Sequence, residues 1–169
     1  MDNFAEALAA IRDLKNEGIV SNYAIGGAMA LSFWAEAVPT YDLDVFVLFG
    51  SNELIMTMTP IYEWAARHGY EVRSEHIEIA GIPVQVLPAH DALTEEAIVT
   101  AVDLPYDTET TRVMRPEYLI GMFLEKSARS AKRLARVAML LESDKVDREL
   151  LSRVLGRYGL KLPRYDDGD

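Results

Sequence analysis

The first third of the chain alternates apolar and polar stretches in patterns that predict helix, strand, helix and strand. Over 2–17 the apolar residues recur at helical spacing, which predicts an amphipathic helix. Residues 23–25 form a short apolar run, which predicts a strand ending at the pair Gly26-Gly27. The run 28–37 has helix-forming composition without glycine or proline. Residues 42–49 are β-branched and aromatic, which is typical of a strand.

The remaining pattern predicts a hairpin and then helices. The polar, turn-rich residues 103–112 predict a loop, with a short strand at 111–114. Asp91 is favoured as the N-cap of a helix, rather than as half of an acid–base pair with His90. The other predicted elements are a helix over 60–67, hairpin arms at 70–79 and 82–88, and C-terminal helices over 116–128, 130–143 and 147–158.

These elements predict an α/β (α+β) fold, a small mixed sheet flanked by helices with a C-terminal helical bundle. We expect 1–115 to form the α/β core, 116–160 a helical part of the same compact unit, and 161–169 a flexible tail. A chain of 169 residues is long enough to bury about two-thirds of its unfolded surface. One domain is therefore expected.

Composition and charge narrow the functional classes. The net charge of −10 and the pI near 4.8 argue against a broad footprint on DNA or RNA. The absence of cysteine excludes disulfides, Cys-ligated zinc and thiol catalysis. No basic start precedes an apolar block, and no apolar run approaches the ~18 residues of a membrane span. We expect a cytoplasmic protein without membrane contact.

The strand over 42–49 begins with two carboxylates, at Asp42 and Asp44. Because side chains alternate across a strand, both point to one face, where oxygen ligands can hold a divalent cation such as Mg²⁺. Gly26 and Gly27 precede a helix, so backbone N–H groups there can face an anion. Together these features indicate nucleoside triphosphate (NTP) chemistry. A turn with two solvated aspartates is the plainer alternative.

Gly26, Gly27, Asp42 and Asp44 resemble the signature of the nucleotidyltransferase superfamily (the DNA polymerase β-like fold). With Thr40 and the strand over 84–88, the chain is most similar to small bacterial nucleotidyltransferase-like proteins, among them abortive-infection toxins. The resemblance implies transfer of a nucleotidyl group from an NTP to a hydroxyl, with one or two Mg²⁺ ions. It leaves the acceptor open between an RNA end, a protein and a small molecule, and it implies an antitoxin partner.

In that superfamily a third carboxylate commonly lies on the strand that pairs with the Asp-x-Asp strand, and Gln85 occupies the corresponding position here. Glutamine is neutral and a poor base. Three alternatives follow. The metal site alone activates the acceptor, another carboxylate such as Glu78 or Asp91 reaches in, or the chain is a binding module for nucleotide or a protein partner without turnover.

The helical half carries a basic cluster in an otherwise acidic chain, formed by Lys126, Arg129, Arg133 and Arg136. Their spacing of 3, 4 and 3 places them on one stripe if the helix is continuous. Such cations could bind a triphosphate, since arginine grips phosphate with two N–H groups. A solvated helix face is the equal alternative. Lys126, Arg129 and Arg133 are the candidate phosphate contacts.

Overall fold

The computed structural model describes residues 2–36, 39–50, 57–125 and 130–164. Within these ranges seven helices surround one seven-stranded mixed sheet. The helices are α1 (Asn3–Asn16), α2 (Gly27–Trp34), α3 (Thr59–Arg67), α4 (Ala92–Val99), α5 (Pro116–Leu124), α6 (Ala131–Glu142) and α7 (Arg148–Tyr158). The strands are β1 (Asn22–Ile25), β2 (Leu43–Leu48), β3 (Glu71–Arg73), β4 (His76–Ile79), β5 (Ile82–Pro88), β6 (Val102–Tyr106) and β7 (Glu109–Val113). The predicted fold class is confirmed.

The sheet has the strand order β3-β4-β5-β2-β1-β7-β6. At its centre, β2 runs antiparallel to β1 and parallel to β5. The parallel register sets Asp44 opposite Gln85. The predicted position of Gln85 beside the Asp-x-Asp strand is thereby confirmed.

The alternating pattern of β2 produces two different faces. Leu43, Val45 and Val47 are fully buried, whereas Asp44 and Phe46 on the opposite face are half-buried. Phe46 lines a cavity together with residues of α5, so this second face of β2 meets the C-terminal helices. Every residue of α5 is buried, and α5 packs against α2, α4, α6 and α7. The C-terminal helices α6 and α7 thus pack against the buried helix α5.

Residues 103–112 were expected to form a loop, but β6 and β7 form an antiparallel hairpin there. The turn between them has Asp107 at φ 51°, a conformation that aspartate tolerates better than most residues. The edge strand β6 has half-buried residues alternating with exposed ones. Its exposed positions carry polar residues and proline, so the sequence resembled a loop.

Two further boundaries differ from the predicted ones. The arm over 70–79 is divided by a turn with Ser74 at φ 56°, so that β3, β4 and β5 form a meander. The helix expected over 28–37 ends at Trp34, because Ala35 is extended (φ −134°). Residues 37–38 lie outside the described ranges. None of the described helices combines the length and apolarity that crossing a bilayer requires.

Candidate active site

The turn between β1 and α2 lies directly against Asp44. Gly27 has φ +60°, and a Cβ atom added to it would lie 2.3 Å from Oδ2 of Asp44. A Cβ atom on Gly26 would lie 2.5 Å from Cε2 of Phe46. Both positions are therefore too crowded for a side chain, and Gly27 also has a backbone conformation that favours glycine. The structure brings the two predicted motifs together.

The backbone of the turn is tied to β2 as well. The N–H of Gly26 donates to the carbonyl oxygen of Asp44 at 3.0 Å, so this N–H is already used within the fold. The carbonyl of Gly26 accepts the first helical hydrogen bond of α2, from Ala30. The N–H groups of the first turn, from Gly27 onward, have no acceptor within the helix. Gly26 therefore holds the turn in place, and Gly27 begins the set of donors that face outward.

Asp44 is partly withdrawn from solvent. Its pKa is raised by burial first and by the negative charge of Asp42 second, against the opposing effect of Arg136, His76 and Arg133. Asp42 is exposed and immediately precedes β2. Two neighbouring carboxylates, of which one is largely buried, form an electrostatically unfavourable pair that a cation would relieve.

Thr40 orders the loop in front of the two aspartates. Its hydroxyl donates to the carbonyl oxygen of Asp42 at 2.9 Å. The neighbouring Tyr41 is 83% exposed. Thr40 thus contacts the backbone of Asp42 and not its carboxylate in this hydrogen bond.

Two cavities adjoin the aspartates. The Asp44 cavity, of about 200 Å³, is lined by Gly27, Asp44, Phe46, Gln85, Leu87, Leu119, Met122, Phe123, Arg133 and Arg136. The Asp42 cavity, of about 520 Å³, is lined by Ala28, Pro39, Thr40, Tyr41, Asp42, His76, Pro83, Lys132 and Arg136. Because Arg136 lines both, the two cavities are adjacent parts of one groove.

The cationic wall of this groove comes from α6. Arg133 donates to the carbonyl oxygen of Met122 at 2.9 Å, and its Nε is buried without a hydrogen-bond partner in the described structure. The guanidinium groups of Arg133 and Arg136 lie 5.6 and 5.7 Å from the ring centre of Phe123. Burial lowers the pKa of Arg133. The positive charge of Arg133 is therefore held beside Asp44, and its Nε–H is still available to donate a hydrogen bond.

The predicted four-residue stripe is only partly observed. Glu125 is extended (ψ 140°) after α5, and the hydroxyl of Ser130 caps α6 by accepting from the N–H of Arg133. The stripe required one continuous helix from residue 126 to residue 136, but α6 begins only after Ser130. Lys126 and Arg129 lie outside the described residues. Lys132, which was not among the predicted phosphate contacts, joins the groove instead.

Solved structures share this architecture. A nucleotidyltransferase-like antigenic protein from Paracoccidioides brasiliensis is 11% identical, with a TM-score of 0.59 over 93% of this chain and 87% of that one. The antibiotic-resistance factor ANT(2'')-Ia is 15% identical in two structures. Its complex with adenylyl-2''-tobramycin gives a TM-score of 0.57 over 94% of this chain and 98% of that one, and its solution structure gives 0.53 over 94% and 93%. The chain has a nucleotidyltransferase-like fold.

The resemblance predicted from the motifs is thus confirmed at the level of the fold. No family model matches the sequence, and the comparison with curated proteins gives no significant match. The nucleotidyltransferase-like fold is therefore recognised through its backbone, at identities where function cannot be transferred directly.

Within the nucleotidyltransferase-like fold, Gln85 has a partner that the sequence did not reveal. Its Nε2 donates to Oε2 of Glu75 at 3.0 Å. Of the two alternatives expected from the sequence, Glu78 pairs with Arg73 at 3.4 Å and Asp91 caps α4. Among the described residues, Gln85 lines the Asp44 cavity, whereas Glu75, Glu78 and Asp91 do not. Glu75 was missed because the turn at Ser74, which brings Glu75 back over β5, contains no glycine or proline from which the turn could be predicted.

A second polar cluster of this nucleotidyltransferase-like fold lies at the start of α4. Asp91 accepts from the N–H and the hydroxyl of Thr94 at 2.8 and 2.7 Å, which confirms the predicted N-cap. Nε2 of His90 lies 3.1 Å from Oδ2 of Asp91. Burial, and then the hydrogen bond and charge of Asp91, raise the pKa of Glu125 to about 7. These residues line a separate cavity of about 650 Å³ with Tyr158 and Leu160.

Proposed function

We propose that this chain is a metal-dependent nucleotidyltransferase, which transfers a nucleotidyl group from an NTP to a hydroxyl acceptor. The observation that carries the proposal is the contact between Gly27 and Asp44 beside Arg133. It joins main-chain donors, a carboxylate and a buried cation in one groove. A magnesium nucleotide needs those three kinds of partner.

Asp42 and Asp44 fit a magnesium site by their chemistry. Both are carboxylates, and the pKa of Asp44 is raised by burial and by the charge of Asp42. Paired carboxylates of this kind favour a hard divalent cation, which binds through oxygen ligands. When bound, such an ion offsets charge on the phosphates during in-line displacement. A titration with Mn²⁺ distinguishes one bound ion from two.

The triphosphate would lie between α2 and α6. The N–H of Gly27 and the first turn of α2 would donate to phosphate oxygens, aided by the helix dipole. Gly26 supports this role indirectly, because its N–H is bonded to Asp44. Arg133 and Arg136 would contact the phosphates from the opposite wall. Lys126 and Arg129 stay expected contacts from the sequence, and Thr40 would fix the loop that carries Asp42.

The acceptor is proposed only as a hydroxyl compound. ANT(2'')-Ia is a structural neighbour whose complex contains adenylyl-2''-tobramycin, which favours the small molecule among the three acceptors expected from the sequence. The expected toxin activity and antitoxin partner have no support from neighbours described as an antigenic protein and an antibiotic-resistance factor. We therefore propose the reaction without a biological role.

A second candidate function is nucleotide binding without turnover. It is favoured by Gln85, the neutral residue opposite Asp44 in the register of β2 and β5. A module of this kind would bind a magnesium nucleotide in the same groove but would release no pyrophosphate. The two candidates therefore differ in one measurable product.

The test incubates the purified chain with Mg²⁺ and each of the four α-labelled NTPs, together with total RNA, a protein lysate or tobramycin. Label transfer that is lost in Asp44→Asn supports the enzyme. The matched control is Asp144→Asn, which removes a carboxylate that is 92% exposed. Nucleotide binding without transfer supports the module. Absence of both would overturn the two candidates together, and a parallel titration with Mn²⁺ counts the bound ions.

A further inference from the structure

The proposed reaction leaves one proton without an assigned acceptor. A hydroxyl group that attacks a phosphorus atom must lose its proton, and a positioned base accelerates this step about 10²–10⁴-fold. Asp42 and Asp44 are proposed as metal ligands, and the amide of Gln85 is not a base. A side-chain base for this step would therefore be another residue near this face of the sheet.

The hydrogen bond of Gln85 identifies a candidate for this base. Gln85 lies opposite Asp44 on β2 and opposite His76 on β4, so it is the central residue of a row across three strands. Its Nε2 donates to Oε2 of Glu75 at 3.0 Å. A carboxylate can only accept, which fixes the amide with its nitrogen toward Glu75. The neutral side chain of Gln85, beside Asp44, is thus hydrogen-bonded to the carboxylate of Glu75.

Two other carboxylates are engaged elsewhere. Glu78 pairs with Arg73, and Asp91 caps α4. His76 lines the Asp42 cavity and is the competing candidate for the base. Glu75 precedes His76 in the turn between β3 and β4, and its contact with Gln85 brings it back toward Asp44.

We infer that Glu75 is the base that takes the proton of the acceptor hydroxyl, and that Gln85 is the positioning residue that holds it. The inference rests on the proposed function. In the step, the acceptor oxygen forms a bond to the α-phosphorus while the bond from that phosphorus to the bridging oxygen of the β-phosphate breaks. The acceptor proton goes to the Glu75 carboxylate, and pyrophosphate leaves.

The test compares Glu75→Gln with wild type in initial rates of pyrophosphate release, with the four NTPs, Mg²⁺, total RNA and tobramycin present. We expect kcat to fall at least 100-fold, while KM for the NTPs and the affinity for a fluorescent ATP analogue change less than twofold. Glu71→Gln is the matched control on the same hairpin, because Glu71 is 63% exposed and pairs with Arg73 outside both cavities. Its rate is expected to equal that of wild type.

The double variant Glu75→Gln with Gln85→Glu exchanges donor and acceptor in the same hydrogen bond. It returns a carboxylate to the position opposite Asp44, so we expect at least tenfold recovery of the rate lost in Glu75→Gln. Because the exchange also restores the hydrogen bond, the base role is supported only if the pH profile of the recovered kcat shows the ionisation of a carboxylate.

The outcomes separate this inference from the proposed function. An active wild type with an unchanged Glu75→Gln rate overturns the inference and leaves the proposed function standing. The same holds if His76→Gln loses the activity and Glu75→Gln keeps it. A wild type that binds the nucleotide analogue but releases no pyrophosphate overturns both.

Discussion

Gly27 and Asp44 lie so close together that a Cβ atom added to Gly27 would be 2.3 Å from a carboxylate oxygen of Asp44. Two segments that are far apart in the chain therefore constrain one another. Asp44 can hold its position only while residue 27 has no side chain.

We predict that Gly27→Ala loses nucleotide binding as well as stability. The left-handed conformation costs about 1–2 kcal/mol for alanine, and the clash with Asp44 adds to this or displaces the carboxylate. Urea unfolding measures the first effect, and binding of a fluorescent ATP analogue with Mg²⁺ measures the second.

Gly18→Ala is the matched control for Gly27→Ala. Gly18 has φ +75° with no atom within 4 Å of an added Cβ, so it carries the conformational strain without the contact. We expect Gly18→Ala to lose stability and to keep full nucleotide binding. Equal losses of stability with unchanged binding in both variants would contradict the role of the contact.

We predict that Asp44→Asn makes the metal-free protein more stable at neutral pH. Burial and the charge of Asp42 raise the pKa of Asp44, so the folded state bears a cost for its charge that the unfolded state does not. The amide removes this cost, and we expect a higher Tm in EDTA. For a chain of this length each 1 kcal/mol is about 2–4 °C.

Adding Mg²⁺ and nucleotide should reverse that order. Wild type gains stability from ligand binding to the folded state, and Asp44→Asn does not. Asp144→Asn serves as the control and is expected to follow wild type in both conditions. A lower Tm for metal-free Asp44→Asn would contradict the prediction.

We predict that stability falls as the pH rises from about 4.5 to about 7 because of Glu125. Its pKa is raised from the usual 4.5 to about 7 by burial and by Asp91, so in this window the folded chain holds a proton that the unfolded chain has released. Folding then takes up a proton, and the free energy of unfolding decreases with pH until it levels above 7. Urea unfolding at successive pH values measures the slope.

Glu125→Gln should flatten this dependence. We expect the variant to match wild type near pH 5 and to be the more stable of the two at pH 8. Burial alone would raise the pKa of Asp91, but its hydrogen bonds with Glu125 and Thr94 outweigh burial and lower it. Its own titration therefore acts at lower pH, outside the window. A wild-type slope retained in Glu125→Gln would assign the effect to other groups, and Glu95→Gln provides the exposed control.

We predict that Arg133→Gln weakens binding of inorganic tripolyphosphate about tenfold or more. A hydrogen bond to a charged group contributes about 1.5–3 kcal/mol, and tenfold in affinity is about 1.4 kcal/mol. Isothermal titration calorimetry measures the affinity. Arg153→Gln, at a side chain that is 60% exposed and pairs with Glu149, should bind like wild type.

The sequence predicted the parts of the site that lie on regular elements. The resemblance to the nucleotidyltransferase superfamily predicted Gln85 at the position beside Asp44, and the parallel register of β2 and β5 confirms that placement. The sequence also led to the expectation that the glycine pair and the two aspartates share one site, and the contact of Gly27 with Asp44 agrees with it.

The parts that were missed depend on backbone conformations that the local sequence does not reveal. Ser74 and Asp107 adopt positive φ without glycine, so the turns that bring Glu75 to Gln85 and join β6 to β7 had no signal. The break before α6 was expected, since separate helices were predicted over 116–128 and 130–143, whereas the stripe of basic residues required a continuous helix; Ser130 as the N-cap of α6 decides against that stripe. The turns at Ser74 and Asp107 are set by the packing of the whole sheet, which no short window of residues encodes.

The hydrogen bond from Arg133 to the carbonyl of Met122 fixes the guanidinium to the end of a helix whose every residue is buried. Its orientation is thereby preorganised, since a rigid main-chain anchor and the ring of Phe123 hold it before any anion arrives. Little rotamer entropy then remains to be lost upon association. The groove should consequently recognise phosphate with nearly the same shape in its free and occupied states.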